Sequence, residues 1–261
     1  MSLALTIDSF NNGIIDWVNT PKHTPLLFEL DADVFEFNAV AGHTLDFSLV
    51  SFQEMVKAIE KQRWIVGLEW RELIDDGIKA KNLEEVLDGL CDVIYTGIWL
   101  ERQCKEVIKV LINLSDLAML DKPYWAGQKN SDVRFLDISS KGESTQALMG
   151  SLTKSLVLLL QAKPLVMYLI EVFGFNTFEQ AMVRVVKANK AKYFTKKEDL
   201  LNAGKDDDTW EVRQSLGSGR TCYCWVDSRG KMKKPSNWVA PTFGDLILTK
   251  HKAAFLEIYH V

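Results

Sequence analysis

Two short acidic patterns, Glu69-x-x-Glu72 and Glu85-x-x-Asp88-x-x-x-Asp92, carry the residues best suited to chemistry. Spacings of three and four gather each set on one helix face. That face is also apolar. Ile65 and Leu68 share a stripe with Glu69 and Glu72, and Cys91, Tyr95 and Trp99 share one with Asp88 and Asp92. Solvated charges normally lie opposite the apolar stripe, so acids within it need a partner. For Glu69 and Glu72 alone, a solvated or salt-bridged helix face beside Arg63 or Arg71 is the favoured reading. Joined to Asp88 and Asp92, they form a cluster of carboxylates that repel one another and are costly to desolvate. A hard divalent cation removes that cost, and an oxygen-only donor set suits Mg²⁺ or Mn²⁺.

The elements that must position these acids read mainly as helices. Ser51 can cap a helix through Met55 and Ile59 toward Trp64, and Arg63 to about Lys79 reads as the first acidic helix, with Gly77 marking its end. Asn82 is an N-cap for a second, long helix from Leu83 past Cys104 into the apolar run at Val107–Leu114. Residues 1–50 show no sustained period, with Thr20-Pro21 and Ala41-Gly42 as punctuation, and residues 121–145 read as a long loop or insertion. Helical periodicity returns from Gln146 to about Tyr193, with Gly174 separating two helices. Beyond Thr195, Asp206–Asp208 reads as a solvated turn, Thr221–Asp227 alternates like a strand, and Ser228-Arg229-Gly230 supplies a turn before Pro235 and Pro241. The fold expected is a helical bundle with a small β-hairpin and extended C-terminal tail, divided into 1–205 and 206–261.

A formal charge of −4 gives no support to broad phosphate-backbone binding. Cys222-x-Cys224 has no second Cys or His pair, so strand alternation is favoured over a metal site, and the four cysteines fit reduced thiols of a cytoplasmic protein. No basic and apolar leader is evident at the N-terminus. The apolar stretch Leu152–Phe175 is interrupted by Lys154, Gln161, Lys163, Pro164 and Glu171, which argues for buried helices broken near Pro164 rather than a membrane span. Gly217-x-Gly219 is a turn signal without the strand-turn-helix setting of a nucleotide fingerprint.

The succession of a helix with E-x-x-E, a connector and a helix with E-x-x-D resembles the all-α nucleoside triphosphate pyrophosphohydrolases of the MazG-like superfamily, which includes the dimeric dUTPases and phosphoribosyl-ATP pyrophosphohydrolase. Leu68-Glu69-Trp70-Arg71-Glu72-Leu73 carries the first element, and Asp88-Gly89-Leu90-Cys91-Asp92-Val93-Ile94-Tyr95 followed by Gly97 is similar to the second helix of phage-type members. Val186-Lys187-Ala188-Asn189-Lys190-Ala191-Lys192 resembles the family's Asn/Lys helix, with Ala188 at a position usually held by a small hydroxyl residue. Arg229–Pro235, with Trp238 and Pro241 downstream, resembles its lysine-bearing tail. Residues of about 104–172 interrupt the usual order as an insertion, which could cover the site, form an oligomer contact, or fill the space a partner subunit fills elsewhere.

The resemblance implies a Mg²⁺-dependent enzyme that cleaves a (deoxy)nucleoside triphosphate at the α-phosphorus to a monophosphate and pyrophosphate, and a role in shaping a dNTP pool during phage infection. It implies Glu69, Glu72, Asp88 and Asp92 as metal ligands; the E-x-x-D can be met by Glu85 and Asp88 with Asp92 as a further ligand, and Glu85 is either a fifth ligand or the group orienting the water. Lys192, Lys231 and Lys233 would neutralise departing pyrophosphate and Asn189 would donate a hydrogen bond to phosphate or sugar. Tyr95 and Trp238 complete the substrate-side set, and Trp64, Trp99 and Trp238 are candidates for base stacking against the alternative of core packing. It further implies a homodimer or higher homo-oligomer. Two other readings compete: a non-catalytic helical interaction module, and single-strand nucleic-acid binding through tryptophans and the lysine-rich tail, which the acidic balance disfavours.

Overall fold

The computed structural model describes residues 24–43, 45–48, 50–119 and 142–258, with side chains described for 30–43, 45–48, 50–111 and 145–255. The protein is mainly helical with a small antiparallel sheet. Its helices are α1 (Thr24–Val40), α2 (Phe52–Glu72), α3 (Leu83–Met119), α4 (Gly142–Phe173), α5 (Phe175–Lys190), α6 (Lys197–Ala203) and α7 (Thr249–Ile258). Strands β1 (Tyr193–Phe194), β2 (Glu211–Gly217) and β3 (Arg220–Val226) pair in the order β1-β3-β2. In that register Tyr193 stands opposite Cys224 and Gln214 opposite Tyr223. The sheet therefore draws on residues either side of position 205.

Ser51 caps α2 as its sequence requires. Its hydroxyl accepts from the Glu54 N–H, and the Glu54 carboxylate accepts from the Ser51 N–H at 3.0 Å, a reciprocal capping box. The stretches expected as two helices form a single rod through Glu72. It continues, without a break, as a π-helical turn over Leu73–Lys79. Gly77 is not a terminator. It is buried within this turn, and a Cβ there would stand 3.0 Å from Cα of Val86 on α3. Gly89 makes the reciprocal approach, where a Cβ would lie 2.9 Å from Cα of Leu73. Two glycines thus bring the backbones of the two acidic segments together. Asn82 caps α3 as expected, accepting from the Glu84 N–H at 3.1 Å, and the helix runs past Cys104 without interruption.

α1 is a correction, because no helix was expected within residues 1–50. Leu30, Val34, Phe37 and Ala41 lie at helical spacing and pack inward, but Phe35 and Ala39 on other faces blur the amphipathic signal. Asp, Asn, Phe and Val also have modest helix propensity, so tertiary packing sets this helix. Ala41-Gly42 is the turn expected, with Gly42 at φ +77°. Thr20-Pro21 and most of the expected loop at 121–145 lie outside the described residues. A second correction concerns Pro164, which sits inside a continuous α4. The break is avoided because Pro164 and Leu160, whose carbonyl loses its N–H donor, both face outward where hydration can compensate. Gly174, at φ +80°, separates α4 from α5 as expected.

The main core runs along α2, α3 and α4, with Ile59, Leu73, Leu87, Leu90, Ile94, Leu100 and Phe173 fully buried. A smaller core forms where Val40 at the end of α1 meets Cys222, Cys224 and Val226 of β3. Both thiols are free, lie on one strand face and serve as small apolar side chains. Asp206–Asp208 is the solvated turn expected, with Asp207 accepting from the Thr209 N–H and hydroxyl. The tail is not extended to its end: after Pro241 it makes a single 3₁₀ turn at Gly244–Leu246 and enters α7. Arg184 on α5 ties it down, donating to both Asp245 carboxylate oxygens and to the Thr242 carbonyl at 2.6 Å each.

Candidate active site

The acids of α2 and α3 converge where the π-helical turn presses Leu73 onto Gly89. Glu69 lies on the α2 stripe one turn before that contact, and Asp88 precedes Gly89 on α3. Burial first, then the charges of Glu72 and Asp88, push the Glu69 carboxyl up to about 7. Burial and Glu85, with Glu72 behind it, push Asp88 up to about 6. Asp92 is the most perturbed: burial, Asp88, Glu69 and Glu72 drive it to about 8. Glu72 and Glu85 are exposed at the mouth of the cluster. All five acids expected from sequence therefore share one electrostatic neighbourhood. For Glu69, Asp88 and Asp92, burial and mutual repulsion outweigh the lysines that act on them among the described residues.

Cations from other elements act on the same cluster. Lys192, two residues beyond α5, opposes the charge of Asp92, Asp88 and Glu69. Burial, aided by Lys234 and Lys231, lowers Lys192 to about 8, while Asp92 and Glu69 act against that fall. Its Nζ donates to Asn189 Oδ1 at 2.6 Å and stands 5.4 Å from the Phe37 ring centroid and 5.7 Å from that of Trp238. Asn189 thus orients the lysine in this structure, and its contact is to Lys192. Trp238 is itself fixed, donating from Nε1 to the Ala188 carbonyl at 2.7 Å, with Lys234 Nζ 4.1 Å over its ring. Lys231 acts on Glu69 and Lys234 on Asp88.

Other assignments move. Lys233 is not part of this group. Its N–H donates to the Trp225 carbonyl beside β3, and its ammonium lies 3.7 Å from Asp227 and 5.2 Å from the Trp210 ring centroid. Lys234 takes the place expected for it. Three near-adjacent lysines in an extended run do not reveal which face the site, and the bridge between Val226 and Met232 decides it. Tyr95 is buried against α1, edge-on to Phe37, with its hydroxyl donating to the Asp33 carbonyl at 3.4 Å. Trp99 is core, 6.4 Å from Phe35, whereas Trp64 is exposed. Phe37 was missed altogether, since its helix was missed.

Among the described residues, no group of three or more His, Cys, Asp or Glu side chains is drawn together to hold a metal ion. The donor chemistry nonetheless fits a hard cation: the set is oxygen-only, partly buried, and destabilised by its own charge. Mg²⁺ needs only one or two carboxylates when waters and phosphate oxygens complete its shell. A cleft of about 520 Å3 between Lys81–Glu84 and Gly244–Phe255 lies beside the N-terminus of α3 and does not include the acid cluster. Comparison with family models, with curated proteins and with solved structures returned no match to this chain.

Proposed function

We propose that this protein is a Mg²⁺-dependent pyrophosphohydrolase that splits a (deoxy)nucleoside triphosphate into a monophosphate and pyrophosphate. The observation that carries the proposal is the facing of two charge sets: Glu69, Asp88 and Asp92 half-buried on α2 and α3, against Lys192, Lys231 and Lys234 from the end of α5 and the tail. A bound divalent cation would neutralise the acids and polarise the phosphate oxygens it touches. The residues around it do the rest. Asp92, Asp88, Glu69 and Glu72 offer the oxygen donors. Glu85, exposed beside Asp88, accepts a proton from an attacking water. Lys192, held by Asn189, and the flanking Lys231 and Lys234 balance negative charge on the departing pyrophosphate. Trp238, rigid through its bond to Ala188, gives an edge on which a base can rest.

Such a division of labour has a physical logic. A triphosphate would be repelled by acids alone, and a pocket of lysines alone would bind it without activating water. Substrate and cation together satisfy both sets. The resemblance of Asp88–Tyr95 to a phage-type motif supports deoxynucleotide-pool control in an infected cell as the biological setting. Purified protein incubated with Mg²⁺ and each of the common dNTPs, dUTP and NTPs, with products separated by ion exchange, tests the proposal. Monophosphate plus pyrophosphate from a subset is the expected result. Diphosphate plus inorganic phosphate would refute the bond assignment, and no turnover of any nucleotide under these conditions would refute the reaction.

A further inference from the structure

We propose that the outward face of α4 is an antiparallel self-association seam that pairs two copies of this chain. α4 already buries one full face: Leu148, Leu152, Leu156, Leu159, Val166, Leu169 and Phe173 belong to the main core. The opposite face should then be polar. It is instead studded with exposed apolar side chains: Val157 (46% exposed), Leu160 (46%), Met167 (41%) and Tyr168 (42%), with Pro164 exposed between them. Only a third of the most apolar window of Thr145–Phe173 is buried. A stripe of this size on a helix calls for a partner.

The spacing identifies that partner. Lys154, Val157, Gln161, Pro164, Tyr168 and Glu171 recur at alternating intervals of three and four, the pattern of a two-helix seam, and Leu160 and Met167 flank it. The pattern is its own complement when reversed. In an antiparallel pair with its dyad between Ala162 and Lys163, Val157 meets the partner's Tyr168, and Gln161 meets the partner's Pro164. At both ends Lys154 meets the partner's Glu171. Both end residues are exposed, and neither has an ion pair among the described residues. Near the dyad, the Leu160 carbonyl deprived of its donor by Pro164 lies beside the partner's Gln161, whose amide can supply one. Such isologous pairing closes at two chains. The seam runs about 27 Å at 1.5 Å per residue, and three-four ridges favour a crossing near 20°.

A lipid surface is the competing occupant, since α4 is long and apolar enough to cross a membrane by composition. The polar positions argue against it: Lys154, Gln161 and Glu171 all sit on the outward stripe, at its ends and its middle. Sedimentation velocity of the full chain at tens of micromolar, in detergent-free buffer, tests the seam. The wild type is expected as a dimer, and the double variant Val157→Asp/Tyr168→Asp as a monomer with unchanged helical circular dichroism. Lys154→Glu and Glu171→Lys should each raise the dimer dissociation constant at least tenfold, and their combination should restore most of the affinity. Because both residues are exposed, that exchange does not depend on tolerance of the apolar variants. A monomeric wild type, a dimer indifferent to all four substitutions, or protein recovered only with phosphatidylcholine vesicles would each overturn the inference.

Discussion

Removing the Asp92 charge should stabilise the metal-free protein. Asp92 is raised from the usual 3.8 to about 8, so the folded state holds a proton that the unfolded chain releases. The folded state binds more protons across that window, and stability must therefore fall as pH climbs from about 4 to about 8. At roughly 1.4 kcal/mol for each pH decade, the full span corresponds to about 6 kcal/mol at pH 8. Solvent access to the half-buried side chain reduces this by about half, to about 3 kcal/mol. At pH 5 only the first decade is spanned, and the cost is about 1 kcal/mol. Asp92→Asn keeps the shape and cannot incur that cost. Urea denaturation in EDTA should find the variant more stable by about 3 kcal/mol at pH 8 and by about 1 kcal/mol at pH 5. Mg²⁺ should then stabilise the wild type at pH 8 and leave the variant almost unchanged. A variant less stable than wild type at pH 8, or an advantage equal at both pH values, would refute the argument that these acids repel one another.

Glu72→Gln, on an exposed residue at the mouth of the cluster, should abolish nucleotide turnover while shifting the melting temperature by no more than a degree or two, read by paired product and calorimetry measurements. Gly89→Ala should cost about 2 kcal/mol, because its Cβ would stand 2.9 Å from the Leu73 backbone, and should weaken Mg²⁺ binding by moving Asp88 away from Glu69; urea denaturation checks the first effect and calorimetric titration the second. Lys234→Ala should raise KM for the triphosphate several-fold, whereas Lys233→Ala, whose ammonium lies by Asp227 and Trp210, should leave it unchanged. Equal effects of the two would return Lys233 to the site.

The helices that sequence revealed were those with a cap or a clean period. Ser51 and Asn82 announce their helices because the capping side chain satisfies local N–H groups that any fold would have to satisfy. α1 had neither signal. It is held by contacts to distant segments: Lys190 to Asp33 at 2.5 Å, Arg220 to Glu36 at 2.9 Å, and the Ser215 hydroxyl to the Val40 carbonyl at 2.9 Å. Such cross-chain bonds have no period to read. Pro164 misled for the opposite reason. Its local rule is sound, but the position faces outward, where the unbonded carbonyl is least costly.

The acid cluster was legible because both of its halves are local patterns on neighbouring helices, and a single assumption, that the helices pack, unites them. The cation side was only half legible. Lys192 lies next to a helical motif, but whether Lys231, Lys233 or Lys234 turns inward is fixed by one bridge, Val226 to Met232, and by Trp238 docking on Ala188. The closeness of the two halves is a still finer matter. Gly77 and Gly89 read as a terminator and a motif residue, yet together they let α3 and the π-helical turn approach without side chains between them. A methyl group at either would separate the backbones that carry Glu72 and Asp88. The charge repulsion among the acids is thus imposed by packing. It persists because two glycines and the core along α2, α3 and α4 hold the carboxylates where they would not settle alone, and the cation proposed above would relieve it.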